Sequence, residues 1–269
     1  LGYECYWVNT VSELNIDFAN TLLFTEGQVD SNIPLRTDCY YVLHHCNLDK
    51  YINANCKYTQ LGNYLKFCDE GKNHYYPGDS LEKIKELFYV DVKNKLMYQP
   101  WATDLLPSEI HETPIMFNEN LKDVYYVGTI WDVNNVEINN FARACNDNGK
   151  VLKSAARITD DQHRELIRQS YIAPDIRGQW HKDCGYLPCR IFKNISYGKF
   201  TATNSEHVYN VFDGLIPYAS NEYDLFRVSV EGYKSQTPEK LTSLIKLIKF
   251  NHTYLNRIEN ILNFFNIVY

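Results

Sequence analysis

Arg190 and Lys193 stand one helical turn apart in GYLPCRIFKNISYGKFTATNSE, residues 185–206. The stretch predicts a helix opened by Pro188, apolar along Ile191, Phe192 and Ile195, and broken at Gly198. A cation in the first turn faces the positive end of the helix dipole, which ordinarily favours negative charge. A bound anion removes the conflict, because backbone N–H groups and Arg190 then grip the same oxygens. Lys193 can share that task or solvate the helix face. A β-branched strand at 200–203 follows, then a helix start at Asn204-Ser205-Glu206, with Ser205 as cap and Glu206 as dipole charge.

Other residues of the second half can reach the same ligand. Gly128 and Thr129 follow a predicted strand at 124–127, where a glycine turn lets backbone approach a phosphate. Arg157 lies just past a predicted strand at 151–155. Gln179, Trp180 and Tyr186 occupy the predicted loop before the Arg190 helix, suited to stacking on a base or bonding its edge. Asn210 lies on the helix begun at Glu206. In the first half, Glu26 ends the apolar run TLLFT (21–25), with Gly27 beside it, and is the candidate general base. Asp30, His44, Asp69 and Asp79 are its rivals, with Asp30 and His44 also candidates for binding an acceptor. His44-His45 supplies half of a metal site at most, and no matching ligand cluster occurs, so no metal is expected.

These residues need a scaffold that brings strand ends together. Short apolar runs at 21–25 and 40–43 predict strands buried on both faces. A third is predicted at 64–67, and 87–91 with 95–98 reads as a hairpin or two sheet strands. Cys5-Tyr6-Trp7-Val8 reads as a strand entered through Gly2, so the first strand–helix unit of such a domain is expected to be missing. PWATDLLPSE (100–109) is the predicted linker. Helices are predicted at 136–146, from Thr159, at 206–212, from Glu222 to about 230, at 238–249 and at 254–265. The strands among them fall at 124–127, 151–155, 171–173, 200–203 and 215–218. Alternation in both halves predicts two parallel-sheet domains, 1–109 and 110–269.

Composition narrows the class. The chain has 269 residues and a net charge of −6, against a nucleic-acid partner, which requires a basic face. No apolar run spans a bilayer and no signal peptide opens the chain. The eight cysteines fall without CxxC spacing, as reduced thiols do, so the expected location is cytoplasmic and the sequons at Asn194 and Asn251 silent.

From Gly185 to Phe192, and again from Lys240 to Leu262, the chain resembles the GT-B glycosyltransferases, most closely the CgeB-like group. There a Pro and an Arg open the donor-site helix, a Gly ends it, and a strand leads to a polar turn. The second region carries an N-H-T-Y-x-x-R pattern at Asn251, His252, Thr253, Tyr254 and Arg257. The resemblance covers the C-terminal half by motif and the N-terminal half by architecture alone. It implies an α/β GT-B fold, two Rossmann-like domains facing a cleft, with acceptor in the first and donor in the second, and a last helix crossing back. It also implies a nucleotide-sugar donor, UDP-linked by preference, and a glycan or glycoprotein acceptor, with neither metal nor cofactor. The xylosyltransferases of chlorovirus capsid glycans are of this type, which makes UDP-xylose one candidate donor and a host cytoplasm the site of action.

The departures bear on stereochemistry. Many retaining enzymes of this fold place Glu three residues after the Arg and again eight residues later, where this chain has Lys193 and Thr201. With no carboxylate between Cys184 and Asn204, the reading is an inverting transferase with Arg190 on the leaving diphosphate and Glu26 as base. A sugar-nucleotide epimerase, or a catalytically silent glycan-binding protein, are the rival classes.

Overall fold

The computed structural model describes residues 2–25, 32–44, 48–62, 66–69, 72–75 and 89–267, of which 66–69, 72–75 and 89 by backbone alone. In chain order the elements of the first half are β1 (Leu22–Thr25), β2 (Tyr40–Leu43), α1 (Asp49–Asn53), β3 (Lys57–Gly62), β4 (Lys66–Asp69), β5 (Lys72–Tyr75), β6 (Tyr89–Asp91) and β7 (Leu96–Tyr98). Strands β1, β2, β3 and β7 run parallel in the order β1-β2-β3-β7, and β6 closes the edge antiparallel to β7. Tyr41, Val42 and Leu43 are buried together, as a strand covered on both faces requires.

Two expectations fail here. The third parallel strand is KYTQLG (57–62), while 66–69 pairs with 72–75 in a separate hairpin. Gln60 and Gly62 hide β3 from a hydrophobicity reading. Its polar members are satisfied in the interior instead: Thr59 is buried and its Oγ1 donates to Lys95 O at 3.3 Å. Residues 5–8 form no strand, and Trp7 is 98 % exposed. Aromatic β-propensity becomes a strand only where a second backbone takes up its N–H and C=O groups.

The second half adds β8 (Asp123–Val127), α2 (Asn135–Asp147), β9 (Val151–Ala155), α3 (Asp160–Gln169), α4 (Gln179–Asp183), α5 (Cys189–Ser196), α6 (Glu206–Val211), α7 (Glu222–Lys234), α8 (Pro238–Asn251) and α9 (Tyr254–Phe264). Strands β8 and β9 are parallel, Asp123 opposite Val151 through Val127 opposite Ala155. The sheet continues through extended segments rather than full ladders. Tyr171 N donates to Asp123 O at 2.7 Å, and parallel bridges join Asp175 to Thr203 and Thr203 to Tyr218. Thr159 caps α3 with a complete capping box to Gln162, worth about 1 kcal/mol. The apolar stripe Ile191, Phe192 and Ile195 of α5 is wholly buried, which fixes which way Arg190 points. Asn194 is buried too, its Nδ2 bound to Ala173 O at 3.0 Å, so that sequon cannot accept a glycan in the folded chain.

Chain crossings between the halves are stapled together. Arg257 donates to Pro100 O at 2.9 Å, Trp101 O at 3.3 Å and Asn251 O at 3.2 Å. Thr103 N bonds His252 O at 3.0 Å, and Thr103 Oγ1 meets Ser196 Oγ at 2.7 Å. Helix α9 then lies on the first sheet, Ile261 packing with Val42, Leu61 and Met97. The N-H-T-Y-x-x-R pattern is thus a clamp on the linker. No helix among the described residues is long and apolar enough to cross a membrane.

Candidate functional site

The carboxyl ends of β8, of 171–175 and of 200–203 converge where α5 begins. Arg190 is the second residue of α5 and reaches back over β8. Its guanidinium lies 4.2 Å from the centre of the Tyr126 ring, Nε donates to Val127 O at 3.2 Å, and Nη1 lies 4.0 Å from Asp175 Oδ1. Burial works against its charge, but Tyr126 and Asp175 outweigh that and hold its pKa above the ordinary value. Nη1 is buried and has no hydrogen-bond acceptor among the described residues. Gly128, at φ +151°, passes so close that a Cβ there would overlap Arg190 Nη2. The glycine is what lets the arginine lie flat against the strand end.

Beneath Arg190 is a polar knot that motif reading missed. Arg177 Nη2 lies 2.7 Å from Asp175 Oδ1, with side chains 5 % and 0 % exposed. Thr203 Oγ1 donates to Asp175 Oδ2 at 3.1 Å. Asn204 accepts from Arg177 N at 2.6 Å, donates to Arg177 O at 2.9 Å, and donates to Glu222 Oε1 at 3.2 Å. The signal was present in Asp175-Ile176-Arg177-Gly178 directly after an apolar segment. Asp175 and Glu222 thus bring carboxylates to the site from just outside 184–204, a stretch that has none of its own.

Lys193 turns the other way, towards the linker. Its Nζ lies 3.2 Å from Asp104 Oδ2 and 3.4 Å from Asp160 Oδ1, and Asp104 also accepts from Tyr197 OH at 2.8 Å. Burial raises the Asp104 carboxyl, yet Lys193 and Tyr197 together hold it below its ordinary value. Two carboxylates therefore occupy Lys193, and of the two cations of α5 it is Arg190 that turns to the strand ends.

Gln179 and Trp180 do not lie in a loop: they open the short helix α4, capped by Gly178. A side chain at 178 would run into Val133 O, so only glycine lets α4 seat against the segment after β8, where Gln179 N bonds Glu137 Oε1 at 3.0 Å. His181 sits between Trp180 and Tyr186, with ring centres 5.3 Å and 5.2 Å away. Burial, then Arg177, push it down to about 4, so at neutral pH it is an uncharged imidazole. Trp180 is half exposed and Tyr186 partly buried beside it. Thr129 is exposed, its carbonyl accepting from Asn134 at 3.3 Å, and Arg157, just past the end of β9, has φ +56° and is exposed. Ser205 is buried and accepts from Val208 N as the α6 cap, Glu206 is exposed in the first turn, and Asn210 is partly buried in the last.

In the first half, Glu26, Asp30 and Asp79 fall outside the described residues, as does the side chain of Asp69. His44 ends β2 and is buried, its ring 5.5 Å from Trp101. Both line a small, mainly apolar cavity with Phe24, Gln99, Tyr254 and Arg257, between the strand ends, the linker and α9.

The arrangement defines a class of scaffold before it defines an enzyme: two parallel sheets, a stapled linker, and a polar cluster at strand ends. No family model matches the chain, and no curated protein does. Among solved structures it is similar to TarM, a GT-B glycosyltransferase, with a TM-score of 0.52 over 87 % of this chain and 56 % of that one, at 10 % identity. The chain spans about half the length of TarM. The fold is α/β of the GT-B type.

Proposed function

We propose that this chain is a glycosyltransferase moving a sugar from a nucleotide sugar to a hydroxyl of a glycan or glycoprotein. One observation carries the reading: Arg190, in the first turn of α5, presents at the carboxyl ends of parallel strands a buried Nη1 that has no acceptor among the described residues. A diphosphate there supplies the missing acceptor and the negative charge that the helix start favours. In this scheme the C–O bond from the anomeric carbon to the diphosphate breaks, and Arg190 stabilises the charge that develops on the departing oxygen. The acceptor oxygen attacks from the opposite face, its proton passing to a base, and the sugar leaves inverted. Glu26, which follows β1 in sequence, is the proposed base.

In this reading the His181, Trp180 and Tyr186 aromatic group meets the nucleoside end, a ring face stacking on the base. UDP is the proposed nucleotide, with UDP-xylose among the sugars, and the reaction needs no metal. Calorimetric titration with UDP, GDP and their sugars tests the reading, followed by transfer to glycan acceptors in the presence of EDTA. Micromolar UDP binding and an inverted product are expected. Absence of nucleotide binding removes the enzyme reading; binding without transfer moves it to an epimerase or a silent binder. A retained anomeric configuration, or loss of transfer in EDTA, overturns the mechanism and leaves the class standing.

A further inference from the structure

Asp175 is one carboxylate between two guanidinium groups, and it does not divide itself evenly. Its Oδ1 lies 2.7 Å from Arg177 Nη2 but 4.0 Å from Arg190 Nη1, within Coulombic reach of the second and outside hydrogen-bond range. Its Oδ2 accepts from Thr203 Oγ1. Asn204 holds the Arg177 backbone from both sides and Glu222 holds Asn204, while the guanidinium meets Asp175 as a close ion pair. We infer that Arg177 is a positioning residue which, by occupying Asp175, keeps the Arg190 guanidinium uncommitted and available to an anion. The inference rests on the donor-site reading above and adds a residue that need not touch the donor.

The alternative pairing is close at hand. Were Arg177 neutral, the buried Asp175 would be left without its close counter-ion, and Arg190 would have to travel about 1 Å to become it. That movement draws Arg190 off the Tyr126 ring and commits its charge inside the protein. The same logic makes the loss reversible: neutralising Asp175 as well removes the competitor, and an asparagine there still accepts from Thr203 Oγ1.

The experiment is titration of the full chain with UDP, comparing wild type, Arg177→Met, and the double variant Arg177→Met/Asp175→Asn, each checked for folding by circular dichroism. Arg177→Met should weaken UDP binding about tenfold or more, and the double variant should return to within about threefold of wild type. A merely structural Arg177 predicts that thermal stability falls and recovers across the series while the folded protein keeps its UDP affinity. Equal weakness of both variants, or wild-type affinity in Arg177→Met, overturns the inference. Should Arg177→Met fail to fold, the double variant decides, since it leaves no buried carboxylate without its counter-ion: wild-type-like affinity supports the role and a tenfold loss overturns it. A wild type that binds neither UDP nor GDP removes the donor-site reading and this role with it.

Discussion

Replacing Gly128 by alanine moves Arg190 without changing any charge. A Cβ at 128 would sit well inside contact with Arg190 Nη2, and with Tyr126 behind the guanidinium the head group must yield by ~1 Å. At 3.2 Å the Nε bond to Val127 O has little slack, so it is lost together with the stacking on Tyr126. A misplaced guanidinium forfeits its charge-assisted hydrogen bond to phosphate, about 1.5–3 kcal/mol, or roughly 10- to 100-fold in UDP affinity. Alanine at φ +151° also strains the backbone by about 1–3 kcal/mol, so stability falls whatever happens at the ligand. Gly149→Ala separates the two effects. That glycine has φ +68° but nothing within 4 Å of its Cβ, so its substitution strains the backbone and touches no side chain. Thermal melts should show both variants destabilised, and calorimetry should show only Gly128→Ala weakened for UDP. Equal affinity in the two variants would refute the placement of Arg190 at the donor phosphates.

Arg257→Met should loosen the linker: three backbone carbonyls lose a buried cationic donor, costing about 3 kcal/mol or more in urea unfolding, with faster proteolysis within 99–110 as the local readout. Lys199→Met should stabilise the fold. Burial, then the charge of Arg168, push the Lys199 amine down to about 8 from 10.5, and its Nζ, without a hydrogen-bond partner among the described residues, lies 5.4 Å from the centre of the Tyr233 ring. At neutral pH the fold therefore carries a buried charge costing roughly 3 kcal/mol, part of it offset by that ring. In wild type the unfolded chain binds the extra proton between about pH 8 and 10.5, so the stability gained by Lys199→Met over wild type should shrink as pH rises across that window. A difference that does not change with pH would refute the burial argument. His207 acts with the same sign in a lower window, because burial pushes it down to about 4 from 6.5. Protons then bind the unfolded chain first, and stability should fall on acidification from about 6.5 towards 4, by roughly 3 kcal/mol from this group. His207→Gln should flatten that part of the denaturation profile.

Legibility in the sequence followed locality. The α5 start, its apolar stripe, the Thr159 cap and the strands at 40–43 and 151–155 depend on residues a few places apart, so spacing and capping chemistry reveal them. Strand β3 escaped because its support is non-local: Gln60 and Thr59 are made acceptable inside by the backbone at Lys95. The same holds at the site. Arg190 could be singled out from its position in a helix, whereas Asp175, Arg177, Asn204 and Glu222 become one group only when parallel strand ends meet. The conflict of a cation at a helix start was thus determined by sequence alone. How that cation is held, flat on Tyr126 under a glycine and spared from its nearest carboxylate by a second arginine, was decided by tertiary structure, because distances between segments fifty residues apart are set by the sheet and not by the chain.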